Sequence, residues 1–325
     1  MDTQLPTFAP FKVGFVLIDG FALMSYASAV EPLRAANLIS GQALYEVRNL
    51  PGRGARAQSS CGASVSASAY PGEQVDFDLV LVVAGGELTD LQFPQMYQWL
   101  RLLASRDVLI GGVSGGPLLL ACAGVMNGRR MTVHWEHAAR IVELCSDLVV
   151  ERTLYTRDRD RLTCAGGTAA LDMMQALIAE QHGASLAHRV RDWFVHSDVR
   201  PGEDPQRPGI AERFELTDTT VIRAVQAMEN HIADPLALSQ IAGISDVSER
   251  QLNRLFRKHL HTTTLDFYRR LRLEHAKSLI VSTSLPFAMI AQSTGFANGA
   301  HLSRLFRGVY GLTPTRCRAN VYETD

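Results

Sequence analysis

Positions 252–257 read LNRLFR and positions 302–307 read LSRLFR, so one short pattern is used twice in the last third of a 325-residue chain. In each copy the apolar residues fall at helical spacing, Leu252, Leu255 and Phe256 in the first and Leu302, Leu305, Phe306 and Val309 in the second. That spacing lets one face of a helix bury itself in a small core. The opposite face is polar and basic, with Arg250, Asn253, Arg254 and Arg257 at i, i+3, i+4 and i+7 in the first copy and Ala300, Ser303, Arg304 and Arg307 in the second. A helix anchored on one side and offering Arg and Asn on the other suits the major groove of duplex DNA, where Arg bridges guanine and Asn bridges adenine.

Each copy is preceded by a shorter apolar helix, 238–242 or 287–291, and by a turn expected to hold Gly243 or Gly295. This is helix-turn-helix order. Ser248 and Asn298 stand where an N-cap belongs, since a side-chain oxygen there satisfies amide donors at the helix start. Between the units, 265–280 reads as one amphipathic helix, with Leu265, Tyr268, Leu271 and Leu279 against Arg269, Arg270, Arg272 and Lys277. Such a helix would fix the separation of the units, and recognition helices about 34 Å apart enter successive major grooves on one face of the duplex. From Ser248 to Arg318 there are 12 Lys/Arg against 3 Asp/Glu, a local excess of +9 in a chain whose net charge is −1. Acidic residues therefore dominate elsewhere, and the basic footprint favours a polyphosphate partner. A helical bundle with merely solvated Arg faces would explain neither the duplication nor the imbalance.

On these residues the stretch 216–320 resembles the DNA-binding domain of the AraC family of transcription regulators. The match includes both helix-turn-helix units, the helix between them and the closing GFxxxxHLSRLFRxxYGLTPTxCR from Gly295 to Arg318. The resemblance places the base-facing positions at Arg250, Asn253 and Arg254 in the first helix and at Ala300, Ser303 and Arg304 in the second. Gly299 and Ala300 are small where larger polar residues often stand, so the second helix is expected to read fewer bases.

A chain of 325 residues is long enough for two cores. The stretch 199–217, VRPGEDPQRPGIAERFELT, has Pro, Gly and charge without an apolar period and reads as a linker. The expected division is 1–198 for an effector-binding and dimerising domain, 199–217 for the linker and 218–325 for the DNA-binding domain, with Asp218 or Thr219 capping its first helix. No run reaches the roughly 18 apolar residues of a membrane span, and the start lacks the pattern of a secretion signal, so a cytoplasmic protein is expected. Five cysteines, Cys61, Cys122, Cys145, Cys164 and Cys317, show no CxxC or Cys/His spacing. Neither a disulfide framework nor a zinc site follows from them, and no metal or cofactor is expected. Cys122 and Cys164 read as packing residues.

The first domain is of another kind. Lys12–Ile18, Leu79–Val83 and Leu109–Val113 are short runs rich in Val and Leu, with amphipathic stretches at 26–38 and 95–103 between them. They predict an α/β domain whose parallel sheet is covered by helices on both faces, with its site at the carboxyl ends of the strands. The third run leads into Gly112-Val113-Ser114-Gly115-Gly116, which matches GxSxG, the nucleophile elbow of serine hydrolases. A hydrolase also needs a base and an orienting acid, and although His134, His137, His182 and His188 lie downstream, the pentapeptide specifies neither.

The segments GGVSGGPLLLACAGVMNGRRMTVHW (111–135) and DRDRLTCAGGTAALDMMQALIAEQHGASLAHRV (158–190) make the region 11–196 resemble the DJ-1/PfpI branch of the class I glutamine amidotransferase-like fold. Together the two resemblances identify the chain as a member of the GlxA-like group of AraC regulators, related to activators of arginine, glycine betaine and carnitine catabolism. Enzymes of the fold carry Cys at the elbow, and Ser114 is a weaker nucleophile that stays protonated at neutral pH, so catalysis is not expected. The resemblance implies a homodimer that binds double-stranded promoter DNA, responds to a small effector and acts with RNA polymerase. The elbow, Ser114, Gly115 and Gly116, is the expected carboxylate cradle, with outward amides at the positive end of a helix. Glu31 is the candidate for the fold's acidic residue near the elbow, and Trp135 or Tyr26 for a cation–π wall, which together favour an amino acid or a betaine. Asp172, on an otherwise apolar stretch, can cap, pair with an Arg or line an interface. The alternative reading is a hydrolase or amidase that uses Ser114 and carries an appended DNA module.

Overall fold

The computed structural model describes residues 9–322, apart from 74, 75, 87, 89, 146, 208 and 284 and the side chains of 282 and 320–322. The chain start used above in reading for a secretion signal thus lies partly outside the described residues. Two compact units part between Gln206 and Arg207. Among the described residues the first unit runs β1 (Phe11–Leu17), α1 (Leu23–Ser40), β2 (Tyr45–Pro51), β3 (Arg56–Gln58), β4 (Ser64–Ser66), β5 (Leu79–Ala84), α2 (Pro94–Ala104), β6 (Leu109–Ser114), α3 (Gly116–Cys122), β7 (Arg130–Thr132), α4 (Ala138–Leu144), β8 (Val149–Glu151), β9 (Tyr155–Asp158), β10 (Arg161–Cys164), α5 (Ala169–His182) and α6 (Ala184–Trp193). The second runs α7 (Ile210–Arg213), α8 (Thr219–Asn230), α9 (Leu238–Ile244), α10 (Glu249–Leu260), α11 (Thr264–Ser282), α12 (Phe287–Ser293), α13 (Gly299–Tyr310) and α14 (Pro314–Tyr322).

The main sheet has the order β2-β1-β5-β6-β10-β9. Its pairs are parallel except for β9 on β10. Alternation along the central strands sends Val13, Phe15, Leu17, Leu79, Leu81 and Val83 into a core shared with Leu33 of α1 and Met173 of α5. Val16, Val80, Val82 and Ile110 point the other way, onto Trp99 of α2 and Leu119 of α3. With apolar layers on both faces, these strands read as continuous apolar runs. Glycine sets the distance of α3 from the sheet. A Cβ at Gly116 would lie 1.8 Å from the Val82 carbonyl oxygen, and one at Gly112 would lie 2.5 Å from the Pro117 nitrogen. Only bare backbone lets the helix start directly against β5.

In the second unit Val221, Val225 and Met228 of α8, Ile241 of α9, Leu252 and Phe256 of α10 and Tyr268 of α11 form one core. Leu302 and Phe306 of α13 are buried in the same pattern one repeat later. Asp218 caps α8, accepting from the amides of Thr220 and Val221. The two turns differ from expectation. Gly243 lies inside α9, and the left-handed residue of the first turn is Asp246 (φ 59°), whereas Gly295 (φ 70°) serves in the second. Asp tolerates this conformation better than most residues, so the first turn forms without glycine.

The stretch 199–217 is not a free linker. Arg200 donates to the buried Asp172 carboxylate through Nε at 3.0 Å, Nη2 at 2.6 Å and its own backbone N–H at 3.1 Å. Tyr155 N–H donates to the Gly202 carbonyl, Leu154 N–H to that of Asp204, and Pro205 bridges to Thr153. Gln206 donates through Nε2 to the carbonyls of Val133 and Thr153. From the other side Ile210 and Leu216 join the core of the second unit. Charge and proline signalled a linker, but the arginine has a carboxylate waiting and the backbone lies along the chain just before β9.

Asp172 is fully buried while the Arg200 side chain is 39% exposed, so removal of either partner has unequal cost. Arg200→Met leaves a buried carboxylate without its guanidinium and is expected to destabilise the first unit by about 3 kcal/mol, whereas Asp172→Leu lets Arg200 turn to water and costs about 1 kcal/mol. Calorimetric melting of the two variants and their double checks this, with the double close to Asp172→Leu.

Candidate functional site

The basic surface of the second unit is built on two capped helices. Ser248 Oγ accepts from the Gln251 amide, and the Gln251 side chain returns a bond to the Ser248 N–H, a reciprocal capping box at the start of α10. Asn298 accepts from the His301 amide at 2.8 Å at the start of α13. With Leu252, Phe256, Leu302 and Phe306 buried, Arg250, Arg254, Arg257, Arg304 and Arg307 are carried on the exposed faces. None of these five arginines has an ion-pair partner among the described residues. Arg250, Arg254 and Arg257 edge a groove of about 590 Å³ whose floor includes Leu238 and Leu265. Ala300 is exposed and Ser303 half-buried, so α13 presents less polar reach than α10.

Other cations of this unit have structural work. Arg272 donates to the Gly295 carbonyl at 2.6 Å, Arg318 to those of Ile280 and Leu285, and Lys277 lies over the Tyr310 ring. These three were part of the expected basic footprint, and they fasten α11 to what surrounds it. Asn253 lines the same groove as Arg250 and Arg254, and its amide oxygen accepts from the Thr264 backbone N–H at 3.1 Å.

At the carboxyl end of the sheet Ser114 closes β6 with φ 59°, a left-handed conformation that an L-residue holds only when its surroundings force it. The enforcing contacts are on both sides. Gly115 N–H donates to the Ala84 carbonyl at 3.0 Å, and His134 N–H donates to the Ser114 carbonyl at 3.1 Å. The bond to Ala84 corrects the expected cradle, since the Gly115 amide points into the sheet and is already used. A Cβ on Gly166 would meet Ser114 Cβ at 2.6 Å and Ser25 Oγ at 2.7 Å, so these two serines face each other across a glycine. A Cβ on Gly115 would lie 3.0 Å from His137 Nε2. The elbow is therefore lined by Ser25, Gly166, His137 and the 134–137 turn.

Glu31 is not among these residues. It pairs with Arg34 one turn along α1 at 2.6 Å, with both side chains largely in water. Ser25, at the start of the same helix, takes the place expected for the acid. Tyr26 is also excluded: its ring packs edge-on against Phe15 and Phe21, and its hydroxyl donates to Asn49 at 2.9 Å. Trp135 does lie in the elbow turn, 39% exposed, with its ring 5.2 Å from that of His134. Burial pulls His137 down to about 4, helped by the neighbouring His134, which burial also lowers. Both imidazoles are therefore neutral at pH 7, and among the described residues neither is hydrogen-bonded to the Ser114 hydroxyl. Of the other histidines, His182 packs on Tyr45 and His188 is exposed. Cys164, buried, is pushed up to about 12, in keeping with a packing role. Nothing in the one-letter sequence distinguished Ser25 from the other small residues of α1. The pair His134 and His137, just after the elbow, was the one visible signal.

Comparison with known proteins assigns both halves. A DJ-1/PfpI family model matches residues 11–180, and a helix-turn-helix domain model matches residues 241–320. The chain is 41% identical to the HTH-type transcriptional regulator GlxA of Rhizobium meliloti over 94% of its own length and 95% of that protein. It is 38% identical to the HTH-type transcriptional regulator CdhR of Pseudomonas aeruginosa over 94% and 90% of the two chains. Among solved structures, an AraC family transcriptional regulator from Pseudomonas putida superposes with a TM-score of 0.53 at 27% identity, covering 57% of this chain and all of that one. A ThiJ/PfpI family protein from Pseudomonas syringae, 17% identical over 75% of this chain and 92% of that one, shares the fold at the same TM-score. With an elbow that keeps its geometry but holds serine, and with a basic pair of helix-turn-helix units, the chain belongs to the AraC-type DNA-binding transcription regulators that carry a DJ-1/PfpI domain, and is a regulator rather than an enzyme.

Proposed function

We propose that this regulator is ligand-responsive: the first unit takes up a small nitrogenous metabolite at the elbow and pairs with a second copy, and the second unit grips double-stranded promoter DNA. Activation through RNA polymerase, in the cytoplasm, follows the AraC resemblance; no helix among the described residues is long and apolar enough to cross a membrane. The observation that carries the DNA reading is the set of exposed arginines, without ion-pair partners among the described residues, on two capped helices of one basic unit. In this reading Arg250, Arg254 and Arg304 face bases, and Arg257 and Arg307, at the outer turns, face phosphates.

For the effector, Trp135 and the neighbouring Glu136 replace Tyr26 and Glu31 as the cation-facing pair, since an exposed indole beside a carboxylate attracts an ammonium group. Ser25, Ser114 and the neutral histidines supply hydrogen bonds to the other end. Binding acts by shifting an equilibrium between arrangements that differ in DNA affinity, so effector and DNA affinities are reciprocally linked.

Each part has its own test. DNA affinity falls with salt at a log–log slope of about −0.9 per phosphate contact, and Arg307→Ala is expected to reduce that slope by about one contact while weakening promoter and random duplexes alike. In a thermal-shift panel of amino acids and methylated amines, one compound is expected to raise the melting temperature of the wild type and of Glu31→Gln, but not of Trp135→Ala. A shift lost in Glu31→Gln and kept in Trp135→Ala would return the site to α1. The third test concerns pH. His137 titrates near 4 in the folded chain against about 6.5 unfolded, so the unfolded chain binds the extra proton between these values. Stability is complete above about pH 6.5 and is lost as pH falls toward 4, by about 2–3 kcal/mol. His137→Gln is expected to flatten that part of the stability–pH curve in urea titrations.

A further inference from the structure

We infer that Cys122 and Cys145 form a dithiol site whose oxidation to a disulfide staples α3 to α4 at the ends remote from the elbow. The inference goes beyond the regulator reading and does not depend on it. α3 and α4 are seven residues each, so each is only about 10 Å long. They lie against each other, with Leu118 and Leu119 of α3 and Ile141 of α4 buried in one core. Their starts meet at the elbow, where a Cβ on Gly115, the residue before α3, would lie 3.0 Å from Nε2 of His137, the residue before α4. Two short helices of equal length that start together and share a core run side by side, so their ends meet as well. Those ends are the cysteines: Cys122 closes α3, and Cys145 caps the end of α4. Each lies one helical turn beyond a core residue of its own helix, Leu118 or Ile141, and the Cys145 N–H completes that turn by donating to the Ile141 carbonyl at 2.7 Å. Cys122 also packs against this core.

The surroundings suit slow thiol–disulfide exchange. Both cysteines are half-buried and so open to small reagents, whereas Cys164 and Cys317 are buried and Cys61 is exposed on the turn after β3. Burial raises both thiols above their ordinary range, and a thiolate on the neighbouring Cys145 raises Cys122 further, while the Tyr97 hydroxyl and the Arg140 guanidinium offset part of that rise. The pair is therefore protonated at neutral pH and reacts faster as pH rises. Among the described residues no third ligand joins the two into a metal site, so two-electron oxidation is the chemistry open to them. The co-reactant is a low-molecular-weight disulfide. The thiolate of one cysteine attacks a sulfur of that disulfide and expels one thiolate, leaving a mixed disulfide on the protein; the thiolate of the other cysteine then displaces the second. Two protein thiols become one S–S bond, the reagent is reduced to two thiols, and the two protons pass to them. The bond closes the loop 122–145, which contains the 134–137 turn of the elbow, and ties the far end of α4 to a helix that is itself seated directly on β5.

The test starts from the full, unsubstituted chain. Phenylarsine oxide, which bridges two neighbouring thiols, is expected to protect Cys122 and Cys145 together from alkylation. Equilibration with glutathione disulfide at about pH 8.5, where exchange is faster, followed by acid quench and peptide mapping, should find Cys122 joined to Cys145 within one chain, with Cys164 and Cys317 unmodified. In hydrogen exchange the amides of Ile141 and Cys145, which close the turns of α4, should slow about tenfold on oxidation, an effect absent from Cys122→Ser and Cys145→Ser treated in the same way. Separate glutathione adducts on Cys122 and Cys145 with no link between them, or alkylation of either thiol in the presence of the arsenical, would overturn the inference. Both of those readings use the unaltered protein and are independent of how a variant folds. A link that forms but leaves exchange in α4 as it is in the reduced chain would overturn the stapling of α4 to α3.

Discussion

A single guanidinium, that of Arg272, ties together the parts that the DNA-binding unit must hold in register. It sits in the middle of α11, donates to the Gly295 carbonyl in the second turn and lies 4.6 Å from the ring centre of Phe296 and 5.4 Å from that of Tyr268. The Tyr268 hydroxyl in turn donates to the His231 carbonyl and accepts from Leu236 N–H, holding the loop between α8 and α9. That loop meets the second turn directly: a Cβ on Gly295 would come within 2.3 Å of Pro235. Glycine at 295 thus satisfies both a left-handed φ and a close approach, and the two helix-turn-helix units touch through it. Burial pulls the Arg272 guanidinium below its ordinary value, yet it stays charged at neutral pH, where its attraction to two ring faces and a carbonyl is stronger than it would be in water. The spacing of the two helix-turn-helix units is thus set by a half-buried cation.

The first unit shows a comparable separation of geometry from chemistry. The close seat of α3 on β5 and the forced φ of Ser114 preserve the elbow, while among the described residues no histidine is hydrogen-bonded to the Ser114 hydroxyl. Ser25 replaces an acid, and His137 is buried until it is too weakly basic to draw a proton from a hydroxyl at neutral pH. What remains at the elbow is a turn with one exposed indole beside the Glu136 carboxylate.

Much of this was legible in the sequence because the signals were periodic. Strands buried on both faces read as unbroken Val and Leu runs, α10 and α13 declared themselves by apolar spacing and cap residues, and α11 by its apolar pattern. What escaped had no such period. β2 is an edge strand whose Glu46 and Arg48 reach the surface, so it never resembled a core strand. Three-residue strands such as β7 and β8 are too short to carry alternation. Glu31 had the right residue type but lies along α1 from the elbow, which spacing in sequence does not reveal. Arg272 matched a surface charge by helical phase, and only the position of the neighbouring turn shows that it is given to internal work.

The path of the chain out of the first unit bears on how such a regulator responds. His134 holds the Ser114 carbonyl, and the residue before it, Val133, offers its carbonyl to Gln206, the last residue of the unit. Gln206 also reaches the Thr132 hydroxyl and the Thr153 carbonyl, so one carboxamide gathers the strand that leads to the elbow, the segment leading into β9 and the exit of the chain. Two N–H donors are shared among three oxygens at 2.9 Å, so under the proposed ligand response a shift of the 134–137 turn would redistribute these bonds. The coupling a ligand can transmit is bounded by the difference in its own affinity for the two arrangements. Under the proposed ligand response, hydrogen bonds redistributed around Gln206, at about 1 kcal/mol each, would be of that order and would change DNA occupancy several-fold.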